Sequence, residues 1–195
     1  MNLRSGLLNL PNLLTLARVA AVPVVLILLL SDSRSSGIWA AAVFGMAATT
    51  DFIDGWLARK WGIVTVLGKF LDPLADKLIV MVALIMLIPL DRVPAWAVFL
   101  ILAREMVVTG LRSIASSEGI VIDASDLGKY KTIYQMVAIP GLMLHYDYYW
   151  FFGLEWNIFH VNMHNFGIFF FYIAFALTLW SGFDYLHKFF RVFAR

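Results

Sequence analysis

Cysteine is absent from this chain of 195 residues, which excludes a disulfide framework and thiolate chemistry and leaves the redox compartment unreadable. Charge is scarce as well. Asp, Glu, Lys and Arg make up 14% of the residues against 62% hydrophobic, where a soluble domain carries roughly a quarter charged residues. A mean hydropathy of +0.82 agrees, so a soluble globular enzyme is excluded and a polytopic membrane protein is expected. A net charge of +2 is too small to argue for nucleic acid, and no nucleic-acid partner is expected. Internal repeats and low-complexity segments are also missing, so residues 1–195 read as a single domain.

What is present is a set of six apolar stretches about long enough to cross a bilayer, at roughly 13–30, 37–58, 72–90, 94–115, 131–147 and 166–187. The expected fold class is therefore all-α, with six transmembrane helices. Orientation follows from the basic residues. With a cytoplasmic N-terminus, all of the 15 Lys and Arg except Arg34 and Arg92 fall on the cytoplasmic side; both termini are then cytoplasmic. Tyr146, Tyr148, Tyr149, Trp150, Phe151, Phe152 and Trp156 would form an aromatic belt at the outer interface. Arg4 followed by the apolar run Val19 to Leu30 resembles a signal peptide, but is read as a retained first span. Leu3 to Leu10, ahead of Pro11, reads equally as a short N-terminal interfacial helix or a frayed tail.

Four carboxylates interrupt this oily background within 26 residues: Asp51, Asp54, Asp72 and Asp76. Charges inside a bilayer are costly, so four together imply a partner that offsets the cost. On a helix, Asp51, Asp54, Gly55 and Ala58 fall within an arc of about 100°, and Asp72 and Asp76, four apart, share a face. Two such faces packed together would make a cage of four oxygen ligands, the hard set suited to Mg²⁺ or Mn²⁺. Gly55 and Ala58 leave room beside it for a flat group.

The pattern Asp51-x2-Asp54-Gly55-x2-Ala58-Arg59-x8-Gly68-x3-Asp72-x3-Asp76 resembles, without departure, the signature of the CDP-alcohol phosphotransferases. That resemblance implies two divalent ions held by the four aspartates, which grip the diphosphate of a CDP-activated donor. It further implies Asp76 as general base, Gly55 and Ala58 as neighbours of the cytidine, and Arg59 as a diphosphate contact. The segment Leu10-Pro11-Asn12-Leu13-Leu14-Thr15-Leu16-Ala17-Arg18 resembles the opening of the bacterial phosphatidylglycerophosphate synthases within that family. Asn12, Thr15 and Arg18, three apart, are placed on one face near the site, with Asn12 and Thr15 on the donor. Taken alone, Arg18 reads as a residue snorkelling from a helix end.

An acceptor that is itself a phosphate ester needs cations beyond the metals. Arg104, Glu105 and Arg112 lie in the fourth apolar stretch, Glu105 and Arg112 on one face and Arg104 about 80° from Arg112. Lys129 and Lys131, two apart, point to opposite sides of the fifth. Lys131 shares a stripe with Tyr134 and Gln135 and is taken as the inward residue; Lys129 is read as solvent-facing. The acceptor-phosphate set is thus Arg112, Lys131 and Arg104. The segments Ala103 to Arg112, Lys129 to Thr132 and Leu177 to Ser181 again resemble phosphatidylglycerophosphate synthases. The reaction implied is CDP-diacylglycerol plus sn-glycerol 3-phosphate giving phosphatidylglycerophosphate and CMP, in the bacterial inner (cytoplasmic) membrane, with a multi-pass chain, a cytoplasm-facing site and membrane lipids around it. The resemblance also implies a homodimer.

Other readings compete. Within the family, inositol phosphate or phosphatidylglycerol could be the acceptor. An intramembrane prenyltransferase also binds Mg-diphosphate through aspartates, but lacks the Gly and Ala spacing. A cation transporter could carry core carboxylates, yet leaves Arg59 and the basic cluster unexplained. His145, His160, His164 and His187 read as too scattered for a metal set.

Overall fold

The computed structural model describes the backbone of residues 10–61, 66–120, 122, 126–149 and 160–193. Side chains are described for these residues other than 10–12, 51–61, 66–73, 126, 148, 149 and 160. The stretch expected as an interfacial helix or frayed tail, up to residue 9, and the aromatics Trp150, Phe151, Phe152 and Trp156 lie outside the described residues.

Six helices carry the described chain: α1 (Leu10–Leu28), α2 (Arg34–Trp61), α3 (Val66–Leu87), α4 (Ala95–Ser117), α5 (Asp126–Leu144) and α6 (Met163–Phe193). A short antiparallel hairpin, β1 (Asp147–Tyr149) with β2 (His160–Asn162), joins the last two and pairs Tyr148 with Val161. The six apolar stretches thus become six helices, but the ends move. α2 runs through Arg59 to Trp61 and α3 starts at Val66, so most of the polar break expected between Arg59 and Leu71 is helical. Local chemistry fixes several other ends. Ser33 Oγ accepts the Ser36 N–H at the start of α2, and the Asn162 side chain accepts the Asn165 N–H at the start of α6, each filling an orphan donor of a first turn. α4 stops where Gly119 takes a left-handed φ of +71° and the Ile120 N–H bonds back to the Ala115 carbonyl, the six-to-one closure that glycine permits.

Each helix has 19 or more residues, about 28 Å or longer at 1.5 Å per residue. α6, with a mean hydropathy of 1.8 over its most apolar window, is long and apolar enough to cross a membrane. Large apolar side chains also cover the outside of the bundle: Phe99, Met106, Trp180 and Phe183 are each more than two-thirds exposed. A surface this oily fits a lipid environment rather than water.

Inside, Val25, Phe44, Leu84, Ile101, Ile139 and Phe171 form the contiguous core. α5 packs most extensively on α6, α1 on α2 and α3, whereas α3 meets α4 and α5 sparsely. α5 and α6 come close at Gly141 and Gly167, where a Cβ on Gly167 would lie 2.6 Å from the Leu142 amide nitrogen and 2.8 Å from the Gly141 carbonyl carbon. These obstacles are backbone, so they cannot swing aside. Gly167→Ala is expected to force α5 and α6 apart and destabilise the bundle by about 1–3 kcal/mol, seen as a lower Tm in detergent.

At the end of the bundle remote from Asp76, a charged side chain is buried and two histidines meet. Arg92, expected as an outer-side charge, is 2% exposed. Its Nη1 donates to the Leu142 and Met143 carbonyls at 3.1 and 2.7 Å, and its Nη2 pairs with Asp32 at 2.5 Å. It therefore takes up carbonyls at the α5 C-terminus that no longer have a helical partner. His145 and His164, expected as scattered, meet with Nδ1 atoms 3.2 Å apart, because the hairpin folds the start of α6 back onto the end of α5. The outer segment expected as a loop is in part this hairpin.

Candidate active site

The aspartate positions sit on two helices. Asp51 and Asp54 belong to α2, and Asp72 and Asp76 to α3. Of these, Asp76 has its side chain described. Its Oδ1 accepts Arg18 Nη1 at 2.6 Å. Arg18, 2% exposed on α1, also donates from Nε to the Ala47 carbonyl of α2 at 3.3 Å. Arg18 is thus no snorkelling residue: α1 lies against both α2 and α3, and its guanidinium ties the two aspartate-bearing helices together. The pairing aims Asp76 into the bundle rather than toward lipid, and all four proposed ligands are hard carboxylate oxygens. That donor set fits divalent magnesium or manganese. Asp51, Asp54, Asp72, Gly55, Ala58, Arg59 and Asn12, as site side chains, lie outside the described residues. Thr15 is buried one turn before Arg18.

Where α3 meets α4 and α5 sparsely, a cavity of about 430 Å³ opens with Asp76 on its wall. Val80, Met81, Leu102, Met106 and Met136 make it largely apolar, while Glu105, Lys131 and Gln135 add polar groups. A second cavity of about 540 Å³ adjoins it, lined by Lys77, Arg104, Arg112, Lys129, Lys131 and Tyr185 among others. Lys77, Glu105, Thr109, Lys131 and Thr132 line both. The structure therefore brings Arg104, Arg112 and Lys131 to one cavity. Lys129 is exposed but also lines it, which corrects its assignment to solvent alone.

The cations there come from α3, α4 and α5 and are held by side chains of α4 and α6. Lys77 Nζ donates to Thr109 Oγ1 at 2.6 Å. Arg104 Nη2 donates to Ser181 Oγ at 2.8 Å and Nη1 pairs with Glu105 at 3.1 Å. The stem of Arg104 crosses α6 at Gly182, where a Cβ would lie 2.7 Å from Arg104 Cγ. Lys131 Nζ forms an ion pair with the same Glu105 Oε1. Arg112 lies over the Tyr185 ring, 5.8 Å from its centroid, a cation–π arrangement. Around the two cavities, Arg104 Nε, Gln135 Nε2 and Tyr185 OH are buried without a hydrogen-bond partner. Buried polar groups are normally satisfied, so these three leave hydrogen-bonding capacity unused beside the cavities.

Sequence reasoning missed Arg18 as the partner of Asp76, and Lys77, Ser181 and Tyr185 as parts of the basic cavity. For Arg18 the three-residue spacing with Asn12 and Thr15 was the available signal. Ser181 ends the segment from Leu177 whose resemblance was a signal, whereas Tyr185, four residues on along α6, carried none.

The sequence pattern of the CDP-alcohol phosphatidyltransferase family matches residues 8–180. The chain belongs to that family. Members similar to it include the CDP-diacylglycerol–glycerol-3-phosphate 3-phosphatidyltransferase of Bacillus subtilis, 39% identical over 192 residues, covering 92% of this chain and 94% of the relative. The enzymes of the same name from Rickettsia bellii and Shigella flexneri are 44% and 36% identical, over 70% and 91% of this chain and 75% and 93% of their own lengths. The matched region of this family member includes α1 to α5 and most of α6, so it contains the whole lining of the first cavity and all of the second except Ser181 and Tyr185.

Proposed function

We propose that the chain transfers the phosphatidyl group from CDP-diacylglycerol to sn-glycerol 3-phosphate, giving phosphatidylglycerophosphate and CMP. The observation that carries this reading is the juxtaposition of Asp76, on an apolar cavity, with a basic cavity that shares its wall. A lipid donor needs the first and a phosphorylated acceptor the second. An acceptor without a phosphate, such as serine, would leave Arg104, Arg112 and Lys131 unused.

The acceptor phosphate pairs with Arg112, Lys131 and Arg104, which turns the far hydroxyl toward Asp76. Asp76 takes the hydroxyl proton as that oxygen forms a new bond to the lipid-side phosphorus. The bond from this phosphorus to the oxygen bridging to CMP breaks, and CMP leaves with the electron pair. Arg59 supports the charge of the diphosphate; Gly55 and Ala58 leave space for the cytidine, with Asn12 and Thr15 beside it. Asp51, Asp54, Asp72 and Asp76 would hold two Mg²⁺ or Mn²⁺ ions, which when bound neutralise the diphosphate and ease departure of CMP. Arg18 orients Asp76.

The same reading makes residues 1–195 one domain with six transmembrane helices, both termini and the site on the cytoplasmic side of a bacterial inner membrane, acting as a homodimer among membrane lipids. Nucleotides are supplied on that side. CMP release from CDP-diacylglycerol, compared with glycerol 3-phosphate, inositol phosphate, serine and phosphatidylglycerol as acceptors, tests the assignment. Glycerol 3-phosphate is expected to give the highest kcat/KM; preference for inositol phosphate or phosphatidylglycerol would move the chain to another activity of its family. Cation flux without CMP release would instead support a transporter.

A further inference from the structure

Glu105 is the one acidic residue, among the described residues, that lines the basic cavity, and it also lines the apolar one. Its Oε1 is shared by Lys131 and Arg104, two of the three cations assigned to the acceptor phosphate. Such an arrangement has a clear role without ligand. Lys77, Arg104, Arg112 and Lys131 line one cavity, Lys131 buried, Lys77 and Arg104 partly buried and Arg112 exposed at its edge, and a carboxylate among them offsets their mutual repulsion. With ligand it poses a difficulty, because a phosphate and Glu105 want the same two donors.

The reaction gives that competition a purpose. The phosphate monoester of the acceptor is not consumed: it stays on the product, so whatever holds the acceptor also holds the product. A purely cationic pocket would bind both tightly and slow release. We propose that Glu105 is a positioning residue that acts through Lys131 and Arg104 as the resident counter-ion of the acceptor site. It yields them to the incoming phosphate and reclaims them as phosphatidylglycerophosphate leaves. This rests on the assignment of the basic cavity to the acceptor phosphate. It goes further in giving a function to the one group there, among the described residues, whose charge opposes binding.

Two other roles for Glu105 predict opposite results. If its carboxylate accepted a hydrogen bond from an acceptor hydroxyl, or merely held Lys131 in place for the phosphate, its loss would weaken acceptor binding. As a competing counter-ion, its loss strengthens it.

The test uses the full-length enzyme in mixed micelles with CDP-diacylglycerol and saturating divalent metal. Glu105→Gln keeps shape and removes the charge. The acceptor KM is expected to fall about tenfold, with kcat also lower and donor KM unchanged. Rapid-quench measurement should then show a first-turnover burst of CMP followed by a slower steady rate, the sign of limiting product release. Inorganic phosphate, as a competitive inhibitor against the acceptor, should bind more tightly in the variant by a similar factor. Glu105→Asp retains the charge at a shorter reach and is expected to recover much, but not all, of the wild-type KM. An acceptor KM that is unchanged or raised in Glu105→Gln, or a loss of kcat with no burst, overturns the proposal. Should Glu105→Gln fail to fold, the Asp variant decides: its shorter reach should still lower the phosphate inhibition constant measurably, and an unchanged constant refutes the counter-ion role. Failure of the underlying reading looks different: inorganic phosphate would then not compete with the acceptor even in the unmutated enzyme.

Discussion

Asp76→Asn is expected to reduce kcat for CMP release by roughly a hundred- to ten-thousandfold, the usual contribution of a positioned general base. Asn is the informative substitution because it keeps an oxygen where Arg18 Nη1 donates at 2.6 Å. Alanine would take its carboxylate from a buried guanidinium, a loss that typically destabilises a fold by about 3–5 kcal/mol and would confuse lost catalysis with lost structure. An unchanged Tm together with the fall in kcat therefore assigns the effect to chemistry. Asn at Asp51, Asp54 or Asp72 is expected to fall in the same range, and excess EDTA to abolish turnover, since the four carboxylates are proposed to act on the diphosphate through divalent ions. Full activity of the purified enzyme in EDTA would refute the metal mechanism. Near-wild-type turnover of Asp76→Asn would remove Asp76 as the base while leaving the basic cavity untouched.

The reach of the sequence toward this site follows from the distances over which its groups interact. Asp51 with Asp54, Asp72 with Asp76, and Glu105 with Arg112 are each related within one helix. Their sharing of a face follows from 3.6 residues per turn, and Glu105 and Arg112 do line one cavity. The same rule separated Lys131, buried at the cavity wall, from exposed Lys129. It could not show that Lys129 still reaches the rim, since a lysine stem is long enough to bend around a helix. Six helices were legible because an apolar run has few alternatives in lipid. The pairing of Arg18 with Asp76 was not legible, because it spans 58 positions and depends on how α1 crosses α3. A basic residue near a helix end looks the same whether it reaches water or a buried carboxylate. The hairpin after α5 was hidden by its aromatic composition, which suits an interfacial loop as well as a strand. Arg92 was hidden because its partners are backbone carbonyls, which every sequence supplies.

Arg112→Ala or Lys131→Ala should raise the acceptor KM by roughly ten- to a hundredfold, the effect of losing one charge-assisted contact of about 1.5–3 kcal/mol. The donor KM should move far less, because Arg59 and the aspartates act on the diphosphate. The two variants differ in what they leave behind, and the difference is itself a check. Arg112 stacks on Tyr185 and has no carboxylate partner among the described contacts, so its removal takes away a cation and little else. Lys131 is held by Glu105, so its removal leaves a carboxylate with Arg104 alone and makes the cavity more negative by more than one lost contact. Lys131→Ala should therefore be the more damaging of the two, and adding Glu105→Gln to it should recover part of the acceptor affinity. Neighbours sharing a partner are non-additive in this way, whereas Arg112→Ala combined with Glu105→Gln should come closer to additive. If both single variants retain the wild-type acceptor KM, the basic cavity does not hold the acceptor phosphate, whatever the aspartates do.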